Sequence, residues 1–130
     1  MATLANGSFD VKLAPMPMDD ATIGRMSIEK QFHGDLEASS NGQMLSAMAA
    51  VKGSGGYVAI EHVSGTLHGK AGSFVLQHSG TMTRGDGRTT VTVIPDSGTD
   101  DLIGLAGTMT ILIADGEHSY EFDYTIAESR

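Results

Sequence analysis

Seven side chains of the sequence combine residue types that can bind or transform a small molecule. They are one lysine, one glutamate, two histidines and three tyrosines: Lys30, Tyr57, Glu61, His78, His118, Tyr120 and Tyr124. A histidine beside a carboxylate can transfer a proton, and a tyrosine hydroxyl can hydrogen-bond the polar group of an otherwise apolar ligand. The same residue types also form structural ion pairs and core aromatics, so both interpretations stay open.

The lysine and the glutamate are placed by the alternation around them. Lys30 alternates with the apolar residues of the stretch 26–32, which predicts that it points inward or reaches out of the mouth of the fold. Glu61 is its natural partner if the odd-numbered side of 57–63 faces inward. Val58 and Ile60 compete for that interior, so the direction of this stretch stays open. A buried charge is expected to be paired, because an unpaired one is costly.

The histidines share sides of their stretches with apolar residues. His78 lies on the side of Phe74 in the stretch 73–79, and His118 lies on the side of Tyr120 and Tyr124. A single histidine on an apolar side is more often a hydrogen-bonded core residue than a catalyst. If these sides face one interior, the seven side chains form a cavity for a hydrophobic ligand with a polar head.

Composition excludes several other chemistries. The chain has no cysteine, which excludes disulfides, thiolate metal sites and cysteine nucleophiles. His33, His62 and His68 lack the spacing of a zinc site, so we expect no metal and no cofactor. The acidic loop with Asp96, Asp100 and Asp101 fits a solvated turn better than a calcium loop.

Charge and hydropathy limit the partners. The formal net charge is −8 and Lys plus Arg number 8, without a clustered basic stripe, so we expect no binding to nucleic acid. No apolar run has the length of a membrane span, so no membrane partner is expected. The first residues lack the basic and apolar regions of a signal peptide, which predicts a cytoplasmic protein.

The sequence predicts eight β-strands, which must position these residues. The stretches are 7–13, 26–33, 35–49, 57–63, 73–79, 89–94, 108–113 and 118–126. The third is ambiguous, because residues 44–50 have helix-forming composition and residues 39–42 indicate a bend or bulge. Two prolines predict that residues 15–20 form a loop outside any ladder.

Short connections rich in glycine favour antiparallel pairing of sequential strands. Eight such strands predict an all-β fold, a closed eight-stranded antiparallel barrel with the appearance of a lipocalin, formed by residues 1–130 as a single domain. A two-sheet β-sandwich is the alternative, since periodicity does not separate the two.

A short internal repeat adds one detail. Residues 67–74 and 102–109 share the pattern L-x-G-x-A-G-[ST]-[FM]. This predicts the same hairpin corner used twice, with glycine where φ is positive or backbones approach closely. It also predicts that Phe74, Leu76 and His78 face the same way as Met109, Ile111 and Ile113.

Several segments resemble known families. The glycine-rich segment 97–107 is similar to a corner of allene oxide cyclase-like barrels. Segments 57–61, 72–80, 95–99 and 118–121 resemble a bacterial domain family of unknown function, over about residues 7–126. The resemblance implies an allene oxide cyclase-like barrel and, since plant members are often trimeric, a homo-oligomer, either a dimer or a trimer. It implies no activity, and a cysteine that lines the cyclase site has no counterpart in this chain.

Three functions follow as hypotheses. The first is non-catalytic binding of a small apolar or amphipathic ligand in the barrel interior. The second is an enzyme of the cyclase or isomerase type that uses the interior glutamate, histidines and tyrosines as acid–base groups. The third is a structural module that acts through a homo-oligomeric surface and has an apolar patch on its exterior.

Overall fold

The structure is a computed structural model that describes residues 2–127. Within these residues the chain forms β1 (Thr3–Met16), β2 (Ile23–Gly34), β3 (Leu36–Met48), β4 (Gly55–Leu67), β5 (Lys70–Thr83), β6 (Asp86–Val93), a 3₁₀-helix (Asp100–Leu102), β7 (Leu105–Ala114) and β8 (Glu117–Ile126). The strands pair in sequence order and β8 returns to β1, so the sheet closes into an antiparallel barrel. The predicted eight-stranded barrel is confirmed, and the sandwich alternative is wrong.

The strands alternate between buried and exposed side chains along their length, because successive residues of a strand point to opposite sides of the sheet. Most strands are longer than the sequence predicted. Hairpins stay paired up to two-residue turns, as between β4 and β5, where His68 and Gly69 have φ values of 47° and 79°. Both central residues of such a turn need positive φ, and the turn matches the twist of the strands.

The loop predicted for residues 15–20 begins later than expected. Pro15 belongs to β1 and lies opposite Met26 of β2. The strand tolerates this proline because β1 pairs with β8 only as far as Phe9. Beyond that residue β1 has a neighbour on one side alone, so a missing backbone donor costs little at such an edge.

The third stretch is a regular strand, so the predicted bend or bulge at residues 39–42 is wrong. The register of β3 against β2 and β4 runs through this segment without an extra residue. Gly42 is required for a different reason. A Cβ atom there would collide with the carbonyl oxygen of Ile60 and lie 2.7 Å from the Cα atom of Glu61. Pairing on both sides of β3 overrides the helical composition of its end.

The internal repeat forms two different corners. Gly69 lies in the β4–β5 hairpin, whereas Gly104, with φ of 89°, follows the 3₁₀-helix and leads into β7. The predicted common hairpin is therefore wrong, although both copies place a glycine at positive φ. Phe74 and Met109 are both buried, but Ile113 is 68% exposed because it lies near the end of β7, where little packs against it.

The two ends of the barrel differ. The end that carries the His68–Gly69 turn is closed, since residues 94–99 hydrogen-bond along β5 and the 3₁₀-helix inserts Leu102 into the core. We call the opposite end, with the turns 17–22, 49–54, 84–85 and 115–116, the open end. Interior-side residues there are much more exposed: Leu13 is 46% exposed and Met82 is 37% exposed.

Two seams of the barrel are short. β6 and β7 share one paired position, Thr92 with Thr108. β1 and β8 pair from Thr3 to Phe9, and the partner of Phe9 is His118. Both seams end well before the open end, so the sheet is split there on either side of the β7–β8 hairpin.

Candidate functional site

A charged cluster lies inside the barrel, about midway between its ends. The Glu61 side chain has no exposed surface, and its Oε1 atom accepts hydrogen bonds from Lys30 Nζ at 3.0 Å and His78 Nε2 at 2.7 Å. Its Oε2 atom accepts a hydrogen bond from Ser40 Oγ at 2.6 Å. Three strands besides β4 thus converge on one carboxylate.

The sheet register explains why these residues meet. Lys30 of β2 lies opposite Ser40 of β3, so the two side chains share one side of the sheet. β4 turns Ala59, Glu61 and Val63 inward and leaves Val58 and Ile60 outside. The interior was the expected place for Lys30, Glu61 and His78, and the structure brings these three together.

The electrostatics of the cluster hold the glutamate ionised. Burial by itself raises the pKa of the Glu61 carboxyl. The hydrogen bond from His78, the Lys30 ammonium charge and the hydrogen bond from Ser40 outweigh burial and lower the pKa to about 2. A carboxylate with such a pKa is a fixed negative charge at neutral pH and a poor general base.

The ammonium group of Lys30 also faces two aromatic rings. Its Nζ atom lies 5.0 Å from the ring centroid of Phe9 and 5.7 Å from that of Phe32, within the range of cation–π attraction. No buried side-chain nitrogen or oxygen of residues 2–127 lacks a hydrogen-bond partner. Each buried polar side-chain atom of the cluster therefore has at least one partner within the protein, which a buried ion pair needs in order to be stable.

Two apolar cavities adjoin each other at the open end, and Tyr57 and Thr89 line both. One has a volume of about 310 Å³ and the other about 250 Å³. Val91 lines the smaller cavity, and its cross-strand partner is His78, whose side chain is not itself part of the cavity lining. Burial raises the pKa of the Tyr57 hydroxyl, and a hydrogen bond with Thr89 offsets part of that rise.

His118 lines a different space, a cleft of about 590 Å³ between β1 and β8. The cleft opens where the pairing of these strands stops, and its wall includes Phe9 and Val11. The His118 ring packs on Phe9 at a centroid distance of 5.2 Å. Phe9 contacts both His118 and the Lys30 ammonium, so it separates the cleft from the charged cluster.

Tyr120 and Tyr124 do not belong to this region, so their predicted membership of a common cavity is wrong. Tyr120 Oη accepts a hydrogen bond from the Leu36 amide and donates to a backbone carbonyl, both at 2.9 Å, toward the closed end. Tyr124 Oη lies 2.5 Å from His68 Nδ1, beside the closed-end turn. Burial raises the pKa of both hydroxyls. A strand rises about 3.3 Å per residue, so Tyr124 lies roughly 20 Å from His118.

Sequence reasoning missed three residues of the site. Ser40 binds the carboxylate of Glu61 but lies in the stretch whose strand character was ambiguous. Phe9 and Thr89 line cavities only because the two seams are short, which no local pattern reveals. For Ser40 a signal was available, because it follows Leu36 and Ala38 at a spacing of two residues and so shares their side of the strand.

Among residues 2–127, no three histidine, aspartate or glutamate side chains converge in a way that could hold a metal ion. In the same range, no helix has both the length and the hydropathy that crossing a membrane requires.

Comparison with known proteins places the chain in a family. Residues 5–124 match a family described as "Protein of unknown function (DUF3224)". The chain belongs to this family. A crystal structure of a DUF3224 protein with unknown function, from Shewanella oneidensis MR-1, shares 51% sequence identity and a TM-score of 0.94, covering 99% of this chain and 100% of that one. No protein of curated function matches the sequence. The DUF3224 match confirms the predicted bacterial family of unknown function.

Proposed function

We propose that this DUF3224 barrel binds a small apolar or amphipathic ligand through its open end. The ligand occupies the two apolar cavities that Tyr57 and Thr89 share, and its polar group lies toward His78. Non-catalytic binding is favoured over a cyclase or isomerase activity, because both carboxylate oxygens of Glu61 are occupied and its lowered pKa makes it a weak base.

One observation carries the proposal: two apolar cavities adjoin each other at the open end, and Val91 of the smaller one is the cross-strand partner of His78 in the buried polar cluster. Ligand sites are typically concave and apolar with a few convergent polar groups. The two cavities, about 310 Å³ and 250 Å³, fit a small molecule and are lined by flexible methionines, among them Met44, Met82 and Met109. Methionine adapts its shape to different apolar partners.

The test is a titration of the protein, labelled with ¹³C at its methionine methyl groups, with n-octanol. This probe carries one uncharged polar group on an unbranched alkyl chain. We expect saturable chemical-shift changes at Met44, Met82 and Met109, which line the cavities. Met18 lies in a groove on the outside of the barrel and serves as the internal control. Changes at Met18 alone, or at none of the methionines, contradict the proposal.

A matched pair of variants locates the site. Thr89→Phe places a ring between the two cavities, whereas Thr90→Phe makes the same change on the outer side of β6. We expect Thr89→Phe to weaken n-octanol binding at least about tenfold, a change of about 1.4 kcal/mol. Thr90→Phe should leave the affinity unchanged. Equal effects of the two variants contradict an interior site.

We also propose that the chain forms a homo-oligomer, in support of which it carries an apolar patch outside the barrel. The patch consists of Met18, Leu45, Val58 and Ile60, which are 41–53% exposed. Leu45 and Val58 are cross-strand partners, and the patch borders a groove of about 460 Å³. Clustered exposed apolar residues commonly mark association surfaces. A cytoplasmic location stays a prediction.

Light scattering coupled to size exclusion tests the association. We expect a dimer or trimer that Val58→Glu dissociates, because a charge buried in an apolar interface is costly. His62→Glu is the control, since His62 is exposed on the same strand outside the patch. A wild-type monomer at high concentration contradicts this proposal and leaves ligand binding unaffected.

A further inference from the structure

The end of the β7–β8 hairpin stands apart from the rest of the barrel. We call residues 110–117 the flap. The two strands of the hairpin pair with each other from Leu105–Ile126 to Ala114–Glu117. Toward β6, pairing is limited to Thr108, and toward β1 it stops at His118. The flap therefore has almost no ladder hydrogen bonds to the strands on either side.

Open space lies along both sides of the flap. The cleft of about 590 Å³ lies between the flap and β1, and it is lined by Ala114, Gly116 and Glu117 from the flap. The cavity of about 250 Å³ lies between the flap and β6, and it is lined by Ile111 and Ile113. Moving the flap toward either neighbour thus displaces solvent rather than packed side chains.

The inner side of the flap is apolar and incompletely covered. Ile111 is half-buried, and Ile113 is 68% exposed although it points to the same side as the buried Met109. Burying an isoleucine side chain removes apolar surface from water, which is favourable. Contact of both isoleucines with an apolar ligand would therefore favour a flap position closer to the barrel.

The flap is a tight hairpin whose two strands pair with each other throughout. Asp115 and Gly116 have φ values of 51° and 78°, which is the pattern of the tight two-residue turn that suits twisted hairpins. Its paired strands keep their hydrogen bonds when the hairpin pivots about Thr108 and His118. Displacements of such hairpins are conformational steps that gate access to a site.

We propose that the flap is a lid which opens sideways to admit the ligand and closes over it. This inference rests on the proposed function and adds how access to the same site is controlled. Closure extends the pairing of β6 with β7 from Thr92–Thr108 to the next outward-facing positions, Thr90 and Thr110. The ligand stabilises the closed position through Ile111 and Ile113.

The chain has no cysteine, so disulfide trapping gives a clean test. We expect Thr90→Cys/Thr110→Cys to form an intramolecular disulfide under mild oxidation, because closure brings the two Cα atoms within about 7 Å. n-Octanol should accelerate this reaction at least about threefold. Thr110→Cys/Glu121→Cys is the control, since these positions are already cross-strand partners. It should oxidise at a rate that n-octanol does not change.

The outcomes separate the two proposals. A Thr90→Cys/Thr110→Cys pair that stays reduced with and without n-octanol, while the control oxidises, overturns the lid. In the oxidised variant, exchange of n-octanol measured by methionine-methyl NMR should slow at least about tenfold and recover on reduction. Unchanged exchange in the locked variant also overturns the lid but leaves the binding site in place. Absence of n-octanol binding overturns the proposed function, and trapping of the ligand-free protein then still decides whether the flap closes.

Discussion

Replacing the buried carboxylate of Glu61 tests the energetics of the interior cluster. In Glu61→Gln the Lys30 ammonium, whose side chain is 6% exposed, loses the anion that compensates it. Breaking a buried pair in this way costs about 3–5 kcal/mol. The lowered pKa of the Glu61 carboxyl agrees in direction, because the contacts from His78, Lys30 and Ser40 favour its ionised form despite burial. We therefore expect a destabilisation of about 3–5 kcal/mol.

Urea unfolding followed by circular dichroism measures this loss, and the melting temperature should fall by roughly 10 °C. Lys30→Met/Glu61→Gln removes both charges and keeps an unbranched side chain at position 30, so it should regain about 2 kcal/mol relative to Glu61→Gln. Glu29→Gln is the control, since Glu29 is exposed on the same strand as Lys30 and should change stability by less than about 0.5 kcal/mol. A loss below about 1 kcal/mol in Glu61→Gln would show that the buried Lys30 ammonium does not depend on this carboxylate.

Three further predictions concern stability. Because the pKa of Glu61 is lowered, its contribution is complete above pH 4.5 and is lost as the pH falls toward about 2. Acid titration of the unfolding free energy should show this loss in the wild type, and an identical curve for Glu61→Gln would contradict it. Tyr120→Phe leaves the buried Leu36 amide without its partner and should lower the free energy of unfolding in urea by about 1–3 kcal/mol. An unchanged free energy would show that the hydroxyl is dispensable. Gly42→Ala forces a methyl group against the Ile60 carbonyl and should lower the free energy of unfolding by about 1–3 kcal/mol. A variant as stable as the wild type would show that β3 and β4 lie further apart.

The architecture was predictable because alternation with period two is a local property of the sequence. In β8, where Tyr120, Phe122 and Tyr124 recur on one side, the alternation predicts both that the segment is a strand and which side of it is buried. Strand ends were less predictable, since pairing extends them beyond their apolar cores. Pro15 shows this: its place in β1 depends on where β8 stops, and no local signal in β1 contains that information.

The candidate site was predictable in part for the same reason. Lys30 and His78 are polar residues on apolar sides of strands, and that placement is local. The direction of Glu61 stayed open, because both sides of its strand carry apolar residues. The position of these side chains along the barrel axis cannot be predicted from a local pattern, because it depends on the register around the whole sheet. Tyr124 and His118 share a side of β8 yet lie near opposite ends, which is why one cavity could not hold both.

The most direct test of ligand binding at the open end is a crystal structure of the protein grown with n-octanol. We expect electron density for the alkyl chain among Tyr57, Val91 and Ile111, with the hydroxyl toward His78. Density confined to the outer groove at Leu45 and Val58, or an interior filled only by repacked side chains, would contradict it.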